Sequence, residues 1–334
     1  MSSRFVALAL ALGALLVGSA GCAGDGHAPL VSARSLGQMV RIPRLPARDR
    51  AEPRADATLK RAGRTTVRGH LMVIPPRFSS ADGAYDVVVH FHGNPNAVAE
   101  SVQRAGINAV LVIVNLGAGA TRYVKRFADP GRLRAILRRV DEKLADRGLR
   151  EPRRRRLALS AWSAGYGGIM RVLGDAATAA DVDAVLLLDA LHARRLPATR
   201  GIDRGDLAPF AAFAKRAAAG KALLLITHSE IEPEGPLVSV DDCSGFLLEQ
   251  LGVRRVPTVG WVAPTSLDAA HASYAARSLL PLDLASVARQ GGLVVRGYEG
   301  STPEHHIAHL FQMEPLALDD LRRWWAPREQ PPAV

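Results

Sequence analysis

Six continuous apolar runs alternate with longer amphipathic stretches, and this alternation constrains the chain more than any other feature. The runs are "DVVVHFHG" from 86, "AVLVIVNLG" from 109, "RLALSAWS" from 156, "DAVLLLDA" from 183, "KALLLITHS" from 221 and "GLVVRGYEG" from 292. Each is rich in β-branched and aliphatic residues with no polar residue every second position, the pattern of a strand buried on both faces in a mostly parallel sheet. Arg132 to Arg147, the segment after Ser163, and Asp206 to Ala219 have the length and spacing of helices between them. The order βαβα predicts a single α/β domain, an open sheet with right-handed crossovers over residues 65–328. "HLMVIPP", from 70, adds an antiparallel strand near the edge.

The polar flank at the N-terminus carries a different message. Arg4 precedes the thirteen apolar or small residues "FVALALALGALLV", too short to span a bilayer as a helix, and "GSAGC" then leads to Cys22. This is an export signal over residues 1–21. Its end resembles the lipobox of bacterial lipoproteins, in which the cysteine after the cleavage site carries lipid; Ala20 and Gly21 match, and Ser19 stands where Leu is usual. The resemblance implies acylation of Cys22 and attachment to a membrane of the cell envelope; an ordinary cleaved signal is the alternative. The chain has two cysteines, so an acylated Cys22 leaves Cys243 as a lone thiol, expected to be buried. Residues 22–64 turn polar and rich in Pro, Gly and Arg, and read as a flexible tether.

Charge sets limits on partners. Lys and Arg number 43 against 32 Asp and Glu, a net +11, but aromatics make up only 5% and no basic cluster is interleaved with stacking residues. A nucleic-acid partner is therefore disfavoured, whereas a basic surface suits anionic lipid head groups. "PRRRR" at 152 to 156 reads as a solvated lead-in to the strand that follows.

In an open α/β sheet, function gathers at the carboxyl ends of the strands. The run at 157 ends in Ala161-Trp162-Ser163-Ala164-Gly165, a serine with small residues two positions before and two after. A sharp strand-to-helix turn needs such neighbours, because larger side chains collide there. The turn lifts the hydroxyl above the sheet, and the amide of Ala164 at the start of the next helix can face a developing negative charge. Gly167 and Gly168 let that helix lie close to the sheet. "HFHGNPN", ending the first run, turns an amide near Asn94 toward the same edge, with His90 and His92 as structural hydrogen-bonders. "STPEHHIAHL", starting at 301, supplies three histidines, of which His306, with His305 second, suits a general base. His305 and His309, four apart, also match the spacing of zinc ligands, but the segment is not His-Glu-x-x-His and no acidic partner completes it.

These motifs together resemble the α/β-hydrolase superfamily of serine esterases, lipases and peptidases over roughly residues 65 to 327, with Ala161 where Gly is commoner and a single Gly after His92. The resemblance implies a nucleophile at Ser163, a base near the C-terminus and oxyanion donors at the backbone of Asn94 and Ala164. It also implies an acid after the sixth or seventh strand. Asp189 ends one candidate run, Glu230 and Glu232 follow the other, and Asp241 lies further on; Asp189 is preferred because its position depends least on loop conformation. Residues 253 to 290 form either a flap over the site or a helix-rich edge insertion. The expected activity is hydrolysis of a small-molecule or lipid ester through an acyl-enzyme, with no metal and no cofactor. A non-catalytic binding lipoprotein on the same scaffold and a metal-dependent hydrolase are the alternatives.

Overall fold

The structure, a computed structural model, describes residues 63–261 and 281–326. Its strands are β1 (Gly63–Val67), β2 (His70–Ile74), β3 (Ala84–Phe91), β4 (Ala109–Val114), β5 (Arg153–Trp162), β6 (Ala184–Leu188), β7 (Leu223–His228), β8 (Val256–Trp261), β9 (Asp283–Gln290) and β10 (Leu293–Tyr298). They form one sheet in the order β1-β2-β4-β3-β5-β6-β7-β10-β9-β8. The six apolar runs are its centre, β4, β3, β5, β6, β7 and β10, all parallel. Antiparallel strands close both edges, β1 and β2 on one side and β9 and β8 on the other.

Helices cover both faces: α1 (Pro95–Arg104), α2 (Ala120–Arg126), α3 (Gly131–Ala145), α4 (Tyr166–Leu173), α5 (Ala176–Ala180), α6 (Arg204–Ala218), α7 (Val240–Gln250), α8 (Pro303–Phe311) and α9 (Asp319–Trp325). Two apolar cores result. Val87, Val89 and Phe91 of β3 point to one, with Ile136 of α3, Ile169 of α4 and Phe210 of α6; Val88 points to the other, with Val98 of α1 and Leu321 of α9. Burial on both faces is why the central strands read as unbroken apolar runs rather than as alternation.

Three expectations change at the margins. The first strand begins at Gly63, inside the stretch assigned to the tether. The segment 253 to 290 enters and leaves as paired antiparallel strands, β8 and β9, so its described parts extend the sheet; residues 262–280 lie outside the described residues, as do Cys22, the signal and most of the tether. The arginines of the "PRRRR" run are not a lead-in ahead of the strand but the first part of β5, with Arg153 and Arg155 solvent-exposed as expected. Between Tyr85 and Asp86 the pairing of β3 with β5 skips one residue, so Tyr85 faces Arg154 and Asp86 faces Arg156. That bulge brings two consecutive arginines onto one carboxylate. Asp86 is 2% exposed and accepts hydrogen bonds from Arg155 Nε at 2.9 Å and Arg156 Nε at 3.0 Å. Cys243, on α7, is free and buried, and burial pushes its thiol up to about 12.

Candidate active site

Strand order brings the candidate residues together. Strands β3, β5, β6 and β7 are consecutive neighbours, so the loops that follow them stand side by side at the carboxyl edge. Ser163 follows β5 directly with φ +50°, a left-handed conformation that costs a non-glycine residue energy and turns the chain sharply into a 3-10 turn, Ser163–Gly165, and then α4. The turn works only with glycine at 165: a Cβ there would sit 2.1 Å from the carbonyl oxygen of Phe91. At Gly168 a Cβ would meet the Phe91 ring at 2.7 Å, and at Gly167 the Ala120 carbonyl of α2 at 2.9 Å, so both glycines let α4 pack close. Ser163 itself is half-buried.

Asp189 follows β6 in a second left-handed turn, φ +46°, and is 2% exposed. Its carboxylate accepts three hydrogen bonds, from His306 Nδ1 at 2.7 Å, from the Ser229 hydroxyl at 2.8 Å and from the Ser229 N–H at 3.0 Å. Burial alone pushes this carboxyl up. The hydrogen bond from His306, the proximity of His309 and His306 and the Ser229 amide outweigh it and hold the group well below the usual carboxylate range. Because an ionised carboxylate only accepts, Nδ1 of His306 carries the proton and Nε2 is left as the basic atom.

The choice between adjacent histidines follows from the helix cap. Thr302 is the N-cap of α8, and its backbone N–H donates to His305 Nδ1 at 3.3 Å, with the Thr302 hydroxyl 2.9 Å from the same atom. His305 is thereby held at the helix start, and His306, one residue on, turns to Asp189. The other acids are engaged elsewhere. Glu230 accepts from the Gly300 N–H at 3.0 Å, and Asp241 pairs with Arg255 and lies 3.6 Å from His228 Nε2. Glu232 is exposed. His309 is fully buried, with Nδ1 2.8 Å from the Thr227 hydroxyl and Nε2 without a partner; burial pushes it down to about 4. Among the described residues no group of three His, Cys, Asp or Glu could hold a metal ion.

The turns that follow β3 and β5 each carry a backbone amide of interest. His92 and Gly93, φ +69° and +117°, turn the chain after β3, and a Cβ on Gly93 would meet Leu310 at 2.8 Å. The carbonyl of His92 accepts from His90 Nε2 at 2.6 Å, and that of Gly93 from Asn115 Nδ2 at 2.9 Å. In a trans peptide the N–H opposes the carbonyl, so tying Gly93 O to Asn115 directs the Asn94 N–H away from it. The Asn94 side chain caps α1 by accepting from the N–H of Asn96 at 2.9 Å. Ala164 stands in the first turn of the helical segment, where an N–H has no carbonyl partner within the helix. His90 and His92 serve as hydrogen-bonders: His90 also contacts the Ser160 hydroxyl at 3.0 Å and His92 the Tyr123 hydroxyl at 2.9 Å. Burial pushes them down to about 3 and about 4.

Two residues of this assembly are invisible to motif reasoning. Ser229 is one; only the adjacency of β6 and β7, with Leu188 opposite Thr227, brings it to Asp189. Trp162 is the other. Its indole lies between the rings of His92 and His306, with centroids 5.2 and 4.7 Å away, and its Nε1 donates to the His306 carbonyl at 2.9 Å. The hydroxyl of Ser163 and Nε2 of His306 make no hydrogen bond to each other or to another described residue; such contacts often tighten only when substrate is bound.

No protein-family model matches the chain, and no curated protein matches it. A solved structure, the crystal structure of DphMB1, matches with 16% identity over 82% of this chain and 89% of that chain, at a TM-score of 0.41.

Proposed function

We propose that the chain is a serine hydrolase of the α/β-hydrolase type that cleaves a carboxylic ester through an acyl-enzyme. The observation that carries this reading is a strained serine on a strand-to-helix turn sharing one sheet edge with a buried Asp189 paired to a half-buried His306, whose outer imidazole nitrogen has no hydrogen-bond partner among the described residues. A binding protein needs none of the three. In the proposed reaction the Ser163 oxygen attacks the ester carbonyl while His306 Nε2 takes its proton, and Asp189 steadies the imidazolium. The N–H groups of Asn94 and Ala164 receive the oxyanion. Collapse expels the alcohol, which leaves with the proton from His306, and water then repeats the sequence to free the acid. Trp162 keeps the imidazole plane fixed through both halves.

A fluorophosphonate probe tests the class, because it forms a stable bond only with an activated serine. The expected result is a single adduct on Ser163, absent from Ser163→Ala, whose hydrolysis of p-nitrophenyl butyrate falls by about three to six orders of magnitude. A folded wild-type protein that takes no label is instead a non-catalytic binding protein. We propose in addition that Cys22 is acylated and tethers the domain to a membrane. Mass spectrometry of the mature N-terminal peptide reads the lipid directly, and Cys22→Ser should move the protein to the soluble fraction.

A further inference from the structure

The short helix α2, ATRYVKR, carries three cations and no acid. Tyr123 on its inner side and Phe127 just after it are buried and fix it against the sheet, so Arg122, Lys125 and Arg126, at the i, i+3, i+4 spacing of one helical face, are all exposed. The chain then bends at Asp129 into α3, whose first turn adds Arg132, also exposed. These four cations and Asp129 line one open cavity of about 600 Å³. Leu116, in the loop after β4, lines it too, and its N–H donates to the Tyr123 hydroxyl at 3.0 Å. Arg132 Nε stands 3.8 Å from Asp129 Oδ2, whereas Arg122, Lys125 and Arg126 have no ion pair to a described residue. Further along α3 the cations are answered, Arg134 by Asp175, Arg139 by Glu142 and Lys143 by Asp146. Like charges at helical spacing repel one another, and a merely solvated face interleaves acids among them. The negative end of α2 accounts for Lys125 and Arg126, but not for Arg122 or Arg132 on the same cavity.

We infer that this cavity docks the domain on a bilayer that contains anionic phospholipid, its four cations meeting the phosphates of the headgroup layer. The lining sets four positive charges against one negative, complementary to such a layer. Because the cavity is open, a free small anion in it would stay hydrated and screened, whereas a bilayer presents many phosphates at once in one plane. No aromatic side chain lines it for a base to stack on, which separates it from a nucleic-acid groove. Its position agrees. Helix α2 follows the carboxyl end of β4 and α3 leads back to the start of β5, so the cavity lies at the carboxyl edge of the sheet. Val67 of β1 packs in the same apolar core as Tyr123 and Leu133, so the described chain also starts on that face. The bilayer is thus met at the edge that holds Ser163 and His306. Docking needs neither side chain, nor an acyl group on Cys22; an acyl chain would tether the domain, and this contact would orient it.

The test is co-sedimentation of the exported chain carrying Cys22→Ser, so that no acyl group contributes, with vesicles of phosphatidylcholine alone or with about one-third phosphatidylglycerol, at low salt. Binding is expected on the mixed vesicles only. Arg122→Gln, Lys125→Gln and Arg126→Gln should each lower the partition coefficient about fivefold, and together about 100-fold. Lys221→Gln, Arg254→Gln and Arg289→Gln together remove the same charge from the opposite edge, where β7 and β8 start and β9 ends, and should cost about threefold at most. Asp129→Asn should raise the partition coefficient about fivefold. Its amide oxygen can still accept from the Gly131 N–H, as the carboxylate does at 2.8 Å, and a gain confined to the mixed vesicles cannot come from misfolding. Equal losses from the two triple variants would make binding a property of overall charge, and equal binding to phosphatidylcholine alone would make it apolar; either overturns the docking site. A chain that leaves the mixed vesicles unbound overturns it as well, and if isothermal titration then shows inorganic phosphate binding that is lost in the first triple variant, the cavity is a small-anion site instead.

Discussion

Two buried aspartates stand at opposite ends of the same sheet, and they have been given different company. Asp86, near the amino end of β3, is closed off by two guanidinium groups that satisfy its oxygens and leave nothing to react. Asp189, beyond the carboxyl end of β6, is equally buried but faces one serine and one imidazole whose far nitrogen remains available. Both carboxyls sit below the usual range for the same physical reason, donors and positive charge that outweigh burial. A depressed carboxyl therefore does not mark a site by itself. What distinguishes the two is whether the partner has a second atom that can exchange a proton.

The largest effect that could break this contrast is on turnover. Asp189→Asn should reduce kcat for p-nitrophenyl butyrate by about 10⁴-fold, because an amide in that place no longer selects the productive imidazole tautomer. Thermal melts on the same sample must stay near wild type, and a loss under tenfold would return the acid to another residue, with Glu230 next to be tested. Asp86→Ala should do the opposite. It leaves two arginines without a counter-charge, one of them, Arg156, with its side chain only 25% exposed, and should cost about 2–3 kcal/mol in urea unfolding with little change in turnover per folded molecule. Loss of activity without loss of stability in that variant would mean the two ends of the sheet are coupled. A smaller effect is expected from Ser229→Ala, which deletes one of three hydrogen bonds to Asp189 and should lower kcat about tenfold while leaving KM within about twofold.

The finest test is in pH. His90, His92 and His309 titrate in the folded chain near 3, 4 and 4, whereas unfolded imidazoles take protons near 6.5. Between those values the unfolded state binds more protons, so the stability these residues contribute is complete above about pH 6.5 and is lost as pH falls toward 4. Wild type and Asp86→Ala should lose stability in parallel over that window. Below about pH 4, where unfolded carboxylates protonate but Asp86 stays charged, the two curves should converge by at most about 1.4 kcal/mol per pH unit. Convergence already at pH 6 would mean that Asp86 is not held low by its arginines.

How far the sequence reaches differs between these two places. The six apolar runs announce a parallel sheet because burial on both faces removes every reason for polar alternation. The turn at Ser163 is equally legible: Gly165 is fixed by a backbone carbonyl, and small-residue spacing records that contact. Residues 305 and 306 cannot be separated by pattern alone, since what divides them is the capping bond to Thr302. The arginine run is misread for a related reason. A bulge is a property of two strands together, and nothing within "PRRRR" reveals that residue 155 is the extra one. Ser229 and Trp162 likewise acquire their meaning from neighbours far away in the chain.

The Trp162 indole, held between two imidazoles, also gives the molecule an optical readout. Protonated imidazole quenches stacked indole emission more strongly than neutral imidazole does. His92, pushed down to about 4, stays neutral in ordinary buffers, so a change in Trp162 emission there follows the charge on His306. With Trp162→Phe to subtract the emission of the other tryptophans, rapid-mixing fluorescence would follow arrival and departure of the proton in the proposed acylation without a coloured substrate. The side chain stacked on His306 would also allow the charge of the proposed base to be watched.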